Sequence, residues 1–226
     1  MSRLSRVVIP GCAHHVTQRG VRSQPVFSDD TDRQLYLRLL IEEGGKHGLK
    51  FLAWCLMANH VHFIVVPASC RSLANAFGEA HRKYTWRVNR REGVQGYLFQ
   101  GRFFSCPLDE LHGLAAIRYV ERNPVRAGVV EQAWEYPWSS AGFHVGVRTH
   151  DPLVAKCDII GTAGEWREWL RTDPEVLTVL RKTTRTGRPC GDEAFVRRVE
   201  WMTGMDLRDK RMGRPFGNKS GHNTLE

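Results

Sequence analysis

Two apolar runs parted by only two residues constrain this chain more than any other feature. Leu49 to Met57 reads Leu-Lys-Phe-Leu-Ala-Trp-Cys-Leu-Met, Ala58-Asn59 interrupts it, and His60 to Val66 follows before Pro67. Each run has the length of a buried strand, and the short gap folds the two into a hairpin. Pro67 has no N–H to give a ladder and closes the second strand. Along that strand side chains alternate, so His60 and His62 leave one face while Val61, Phe63 and Val65 leave the other.

The surrounding sequence supplies partners for such a hairpin. Ala13 to Arg19, stopped by Gly20, predicts a first strand. Asp29-Asp30-Thr31-Asp32 is a cluster of N-cap residues, and Leu35, Tyr36, Leu39 and Leu40 repeat behind it at helical spacing up to Gly44-Gly45. Ser72 opens a second helix with Leu73, Phe77, Tyr84 and Val88 on one face, running out at Asn89-Arg90-Arg91 before Gly93. Phe103 to Cys106 predicts a short last strand. Asp109 caps a helix that stops before Pro124, because the residue preceding proline avoids helical backbone angles. The order β-α-β-β-α-β-α predicts an α+β fold of the ferredoxin-like, split βαβ kind, a four-stranded antiparallel sheet with helices on one face. The other face is then expected to be free for a ligand.

After about residue 130 tryptophans appear among prolines, as in Trp134-Glu-Tyr-Pro-Trp138. A helix is expected over Glu165 to Leu170, and another after Gly191-Asp192 with Phe195, Val199 and Met202 on one face. We therefore divide the chain into a catalytic domain, 1–130, and a basic, mostly helical C-terminal extension, 131–226, that ends in a flexible tail.

Charge narrows the partner. Thirty-three Lys and Arg against 24 Asp and Glu leave a net +9, which favours a polyanion. No apolar run nears the roughly 18 residues of a membrane span, and Met-Ser-Arg-Leu-Ser-Arg lacks the apolar stretch of a signal peptide, so a cytoplasmic location without membrane contact is expected. The six cysteines form no C-x-x-C pair, which argues against a zinc finger; without a secretion signal a disulfide framework is not expected, and several of them, in apolar runs, are read as small core residues.

His60 and His62 place two metal-binding groups side by side, although paired histidines on a strand also occur as simple hydrogen-bonding residues. A second cluster lies in Ala115-Ala116-Ile117-Arg118-Tyr119-Val120-Glu121-Arg122-Asn123. Four residues apart on a helix, Tyr119 and Asn123 are neighbours, flanked by alanines that leave room for a substrate. Arg118 and Arg122 share the same spacing and suit phosphates. A half-buried aromatic with a satisfied hydroxyl is the plainer reading of Tyr119 taken alone.

Several stretches recur in a recognisable succession: His15-Val-Thr-Gln-Arg-Gly20, Met57-Ala-Asn-His-Val-His-Phe63, Gln100-Gly-Arg-Phe103 and Tyr119-Val-Glu-Arg-Asn-Pro-Val-Arg-Ala-Gly128. With these motifs the chain, from about residue 9 to 130, resembles the REP-associated tyrosine transposases, relatives of the single-tyrosine HUH transposases of insertion sequences. The resemblance implies a sequence- and structure-specific single-stranded DNA endonuclease and strand transferase acting at hairpin-forming repeats. It makes His60, His62 and the Asn123 amide the ligands of Mg²⁺ or Mn²⁺, and Tyr119 the nucleophile that forms a 5′-phosphotyrosine. The partner so implied is single-stranded or hairpin DNA, with no small-molecule substrate, bound by a monomer or homodimer. Ala58 departs from the proline common in that turn and bears on its stiffness rather than its chemistry.

Tyr84, at a core-like helix position, and Tyr97, in a loop beside Phe99, are rival nucleophiles of lower rank. Arg19, Arg82, Lys83, Arg90, Arg91, Arg102, Arg118 and Arg122 are candidates for the DNA backbone, together with Arg211 and Arg214 in the tail. A non-catalytic DNA-hairpin-binding protein of the same fold is the alternative. An RNA-binding ferredoxin-like module is disfavoured, because no strand carries the Gly-Phe-Gly-Phe-Val pattern of such modules.

Overall fold

The hairpin forms as expected: β2 (Leu49–Met57) and β3 (His60–Pro67) run antiparallel, with Met57 opposite His60. The structure is a computed structural model and describes residues 5–155 and 162–207. β1 (His14–Arg19) pairs antiparallel with β3 on one side and with β4 (Phe104–Pro107) on the other, giving the sheet order β2-β3-β1-β4 of a split βαβ fold.

One face of the sheet packs on α1 (Asp30–Lys46) and α2 (Ser72–Glu92) through Val16, Trp54, Leu56, Val61, Phe63, Tyr36, Leu40, Phe77 and Tyr84. Asp29 starts α1 by accepting the Asp32 N–H at 2.9 Å. The helix continues through Gly44 and Gly45 instead of ending there. At Gly44 a Cβ would stand 2.8 Å from the Phe51 ring, so the glycine permits close helix-to-sheet packing rather than marking a stop.

The second face is not free, which corrects the expectation of an open sheet. α3 (Glu110–Glu121) and the C-terminal extension cover most of it. Ala116, Ile117 and Val120 of α3, with Trp166, Leu170 and Leu180 beyond, pack on Ala53, Cys55, Ile64 and Cys106. The cause lies in β2, which is apolar on both faces. A bulge between Phe51 and Ala53 turns Trp54 and Leu56 to one core and Ala53, Cys55 and Met57 to the other. Leaving that second face wet would forgo about 25 cal/mol for each Å² of apolar surface.

The extension is anchored by polar contacts as well. Trp54 N donates to Ser140 Oγ at 3.0 Å, Ser140 N donates to Trp54 O at 3.0 Å, and Trp54 Nε1 donates to Asp151 Oδ1 at 2.9 Å. Its helices are α5 (Ala141–His144), α6 (Ala163–Trp169), α7 (Leu177–Thr186) and α8 (Glu193–Thr203); a short α4 (Asn123–Arg126) precedes them. α6 and α8 coincide with the two expected helices, whereas α7 was not anticipated. Phe195 and Val199 of α8 pack on Val7 and Ile9, but Met202 is 51% exposed and does not complete the face assigned to it. Among the described residues no helix is long and apolar enough to cross a membrane.

Candidate active site

The part of the second face that stays accessible lies at the ends of β1 and β3. His60 and His62 on β3, Tyr119 near the end of α3 and Asn123 at the start of α4 line one cleft there, with a volume of about 740 Å³. That lies within the roughly 300–1,000 Å³ of ligand pockets. The His60 and His62 ring centroids are 5.0 Å apart, and the Tyr119 ring lies 5.8 Å from His62. Local rules explain this convergence. Strand alternation puts both imidazoles on one face. Arg122 leaves helical angles (φ −85°, ψ 1°) and Pro124 has no N–H to donate back to Val120, so α3 ends and Asn123 begins a new turn beside Tyr119. Asn123 Nδ2 donates to the carbonyls of Tyr119 (3.3 Å) and Val120 (3.1 Å), while its Oδ1 accepts from no described residue.

The histidines are held in a form suited to ligation. Asn59 Nδ2 donates to Ser23 O at 3.1 Å, so Asn59 Oδ1, 2.6 Å from His60 Nδ1, accepts from that nitrogen. In the neutral ring this leaves His60 Nε2 bare. Burial, and then Arg19, push His60 down to about 4. Burial, with His15, His60 and two arginines, holds His62 well below the usual histidine range. Both rings are therefore neutral at pH 7, the state that binds metals. Among the described residues no group of three or more His, Cys, Asp or Glu is placed to hold a metal. The Asn123 carboxamide lines the same cleft. Two imidazoles and an amide, all neutral, fit a divalent ion that takes further oxygens from water or a substrate phosphate.

Positive charge surrounds the tyrosine. Arg19, Arg126, Arg181 and Arg185 line the cleft. The Arg126 guanidinium carbon lies 4.2 Å from the Tyr119 ring centroid, with Nη2 donating to Tyr119 O at 2.7 Å and Nη1 donating to Asp173 Oδ1 at 3.1 Å.

Among the described residues, Arg19 alone of the expected DNA contacts lines this cleft. Arg118 and Arg122 do not. About 100° round the helix from Tyr119 and Asn123, they turn to the extension: Arg118 donates to Thr172 and stacks 5.3 Å from Trp169, and Arg122 donates to Leu170 O and to Asp173 Oδ1 (2.8 Å). Arg82, Lys83, Arg90 and Arg91 belong to α2, on the opposite side of the sheet. Arg82 pairs with Glu79, Lys83 with Glu42 and Glu43, Arg91 with Asp32 and Glu92, and Arg90 lies over Trp86. Arg102 lines a smaller adjoining cleft with Arg6 and Arg185. Arg211 and Arg214 lie outside the described residues. Of the rival tyrosines, Tyr84 is fully buried and donates to Val26 O at 2.6 Å, and Tyr97, 88% exposed, is not among the residues that line the cleft.

Sequence reasoning missed His15, Arg126, Arg181, Thr184 and Arg185, all in the cleft wall. Arg126, seven residues after Tyr119, was visible as a same-face position. Leu177, Leu180 and Thr184 at i, i+3 and i+7 were the signal for α7. His15 needed the register of β1 on β3, which sequence does not give.

The chain resembles known proteins in sequence pattern and in fold. The sequence pattern of a family described as "Transposase IS200 like" matches residues 9–123. A solved structure described as a REP-associated tyrosine transposase bound to a REP hairpin is 20% identical, over 70% of this chain and 93% of that one, with a TM-score of 0.56, and shares the fold. A crystal structure of a candidate transposase from Deinococcus radiodurans R1 is 16% identical, over 54% of this chain and 97% of that one, with a TM-score of 0.37. No curated protein sequence matches.

Proposed function

The chain belongs to the IS200-like transposase family, and on that premise we propose that it is a divalent-metal-dependent endonuclease and strand transferase acting on hairpin-bearing single-stranded DNA. The observation that carries this reading is the single cleft shared by His60, His62, Asn123 and Tyr119. A single strand lies along the cleft, and Arg19, Arg126, Arg181 and Arg185 face its phosphates. The Tyr119 oxygen attacks phosphorus. A tyrosine O–P bond forms as the P–O3′ bond breaks, the phenol proton passes to water, and the departing 3′-oxygen takes up a proton. The product is a 5′-phosphotyrosine and a free 3′-hydroxyl. The ester conserves the bond energy, so attack by another 3′-hydroxyl rejoins DNA without ATP and returns Tyr119 to its phenol.

His60 Nε2, His62 and the Asn123 carboxamide would hold Mg²⁺ or Mn²⁺, which when bound supplies a Lewis acid that neutralises charge on the non-bridging oxygens. The residues' own part is to present neutral donors in fixed orientation and to place the phenol against the same phosphate. Cleavage of a hairpin-bearing oligonucleotide with Mg²⁺ or Mn²⁺ tests the reading, with EDTA and Tyr119→Phe as controls. Metal-dependent cleavage that disappears in the variant is expected. Undiminished cleavage by Tyr119→Phe would remove Tyr119 from the nucleophile's role.

A further inference from the structure

α7 lies beyond the segment matched by the family pattern, yet it reaches the histidines through one hydroxyl. Thr184 Oγ1 donates to Leu180 O, one turn back on its own helix, at 2.7 Å. With its proton committed there, the same oxygen accepts from His15 Nδ1 at 2.8 Å. A neutral His15 that carries its hydrogen on Nδ1 has an acceptor at Nε2, and that atom is 2.8 Å from His62 Nδ1. His62 Nδ1 must then be the donor, and Nε2 is its bare nitrogen. Burial keeps water from competing: Thr184 is 6% exposed, His15 1% and His62 6%.

We propose that Thr184 and His15 are positioning residues, forming a relay from a helix carbonyl of the C-terminal extension that locks His62 in its Nδ1–H tautomer. The consequence for ligation rests on the metal reading above. Were the Thr184 hydroxyl to donate to His15 Nδ1 instead, the hydrogen of His15 would sit on Nε2 and that of His62 on Nε2, where it would block a cation. The Leu180 carbonyl decides the direction. His60 is set separately, by Asn59 and Ser23 at the hairpin turn. The two imidazoles thus have independent anchors, and the centre is incomplete without α7. Partners that fix ligand tautomers typically change metal affinity about 10–100-fold when removed.

The test uses the full chain, metal-free and labelled with ¹⁵N-histidine, as wild type, Thr184→Val and Thr184→Ser. Long-range ¹H–¹⁵N spectra read the tautomers, and titration with Mn²⁺ followed by electron paramagnetic resonance reads affinity. His62 should be the Nδ1–H tautomer in wild type. In Thr184→Val it should move to the Nε2–H form or a mixture, with Mn²⁺ binding weakened about 10–100-fold. Thr184→Ser should restore both. An Nε2–H tautomer in wild type would overturn the relay, as would unchanged tautomer and affinity in Thr184→Val. The wild-type spectrum decides by itself if the valine variant fails to fold. Tautomers that respond as stated in a protein that binds no Mn²⁺ would uphold the relay and reject the metal reading.

Discussion

Arg118 and Arg126 flank Tyr119 in sequence and part company in space, which makes them a contrasting pair. Arg126 lies over the tyrosine ring and lines the cleft, whereas Arg118 is tied to Thr172 and Trp169. Arg126→Ala should slow single-turnover cleavage about 100-fold, the usual scale for losing one preorganised charge at a reacting centre. Arg118→Ala should leave cleavage within a few-fold and cost no more than about 1 kcal/mol of stability. Equal losses of cleavage in the two variants would contradict the assignment. Glu121 has a different task. Fully buried, it accepts from Ser140 Oγ and His144 Nδ1, both at 2.5 Å, and from Trp166 Nε1 at 3.0 Å, tying α3 to the extension. Glu121→Ala strands three donors and should lower stability by about 3 kcal/mol, read as a lower urea midpoint with unchanged slope.

Helix ends show how elements are fastened together. Asp109 Oδ1 accepts the His112 N–H at 2.8 Å and caps α3, while Oδ2 accepts the Asp192 N–H at 2.9 Å, and Asp192 in turn caps α8 at Phe195 N, 2.7 Å away. Asp109→Ala removes a cap and a link together and should cost about 2 kcal/mol, the upper end for a single cap; a loss below about 0.5 kcal/mol would deny that link. Local signals of this kind were legible in sequence: Asp29, Ser72, Asp109 and Asp192 each stand where a helix begins. The His60/His62 alternation and the Tyr119–Asn123 spacing were legible for the same reason, since both follow from the period of one element. What was not legible depends on contacts between distant segments. The covered second face, the turn of Arg118 and Arg122 towards α6, and His15 beneath His62 all require knowing which elements meet. The apolar character of β2 on both faces was the one local hint that the sheet would be covered twice.

Across the whole molecule, buried neutral histidines couple folding to pH. Burial pushes His14 down to about 4 and His81 to about 3, and neither belongs to the proposed metal centre. Unfolded, each returns to about 6.5, so below that value the unfolded chain binds protons that the folded one refuses. Their contribution is fully present above pH 6.5 and is lost as pH falls towards the folded values, at up to about 1.4 kcal/mol per pH unit for each histidine. Urea unfolding at pH 7.5 and pH 5 should show the protein clearly weaker at pH 5; equal stability at the two would deny that these rings are buried and neutral. At this scale the sheet, α3 and α7 together wall the one cleft that holds His60, His62, Tyr119 and Asn123. The most direct test is mass spectrometry of proteolysed protein after reaction with a hairpin-bearing single strand. A nucleotide attached through a 5′-phosphate to the peptide containing Tyr119 is predicted; efficient cleavage with no adduct, or an adduct on Tyr84 or Tyr97, would contradict it.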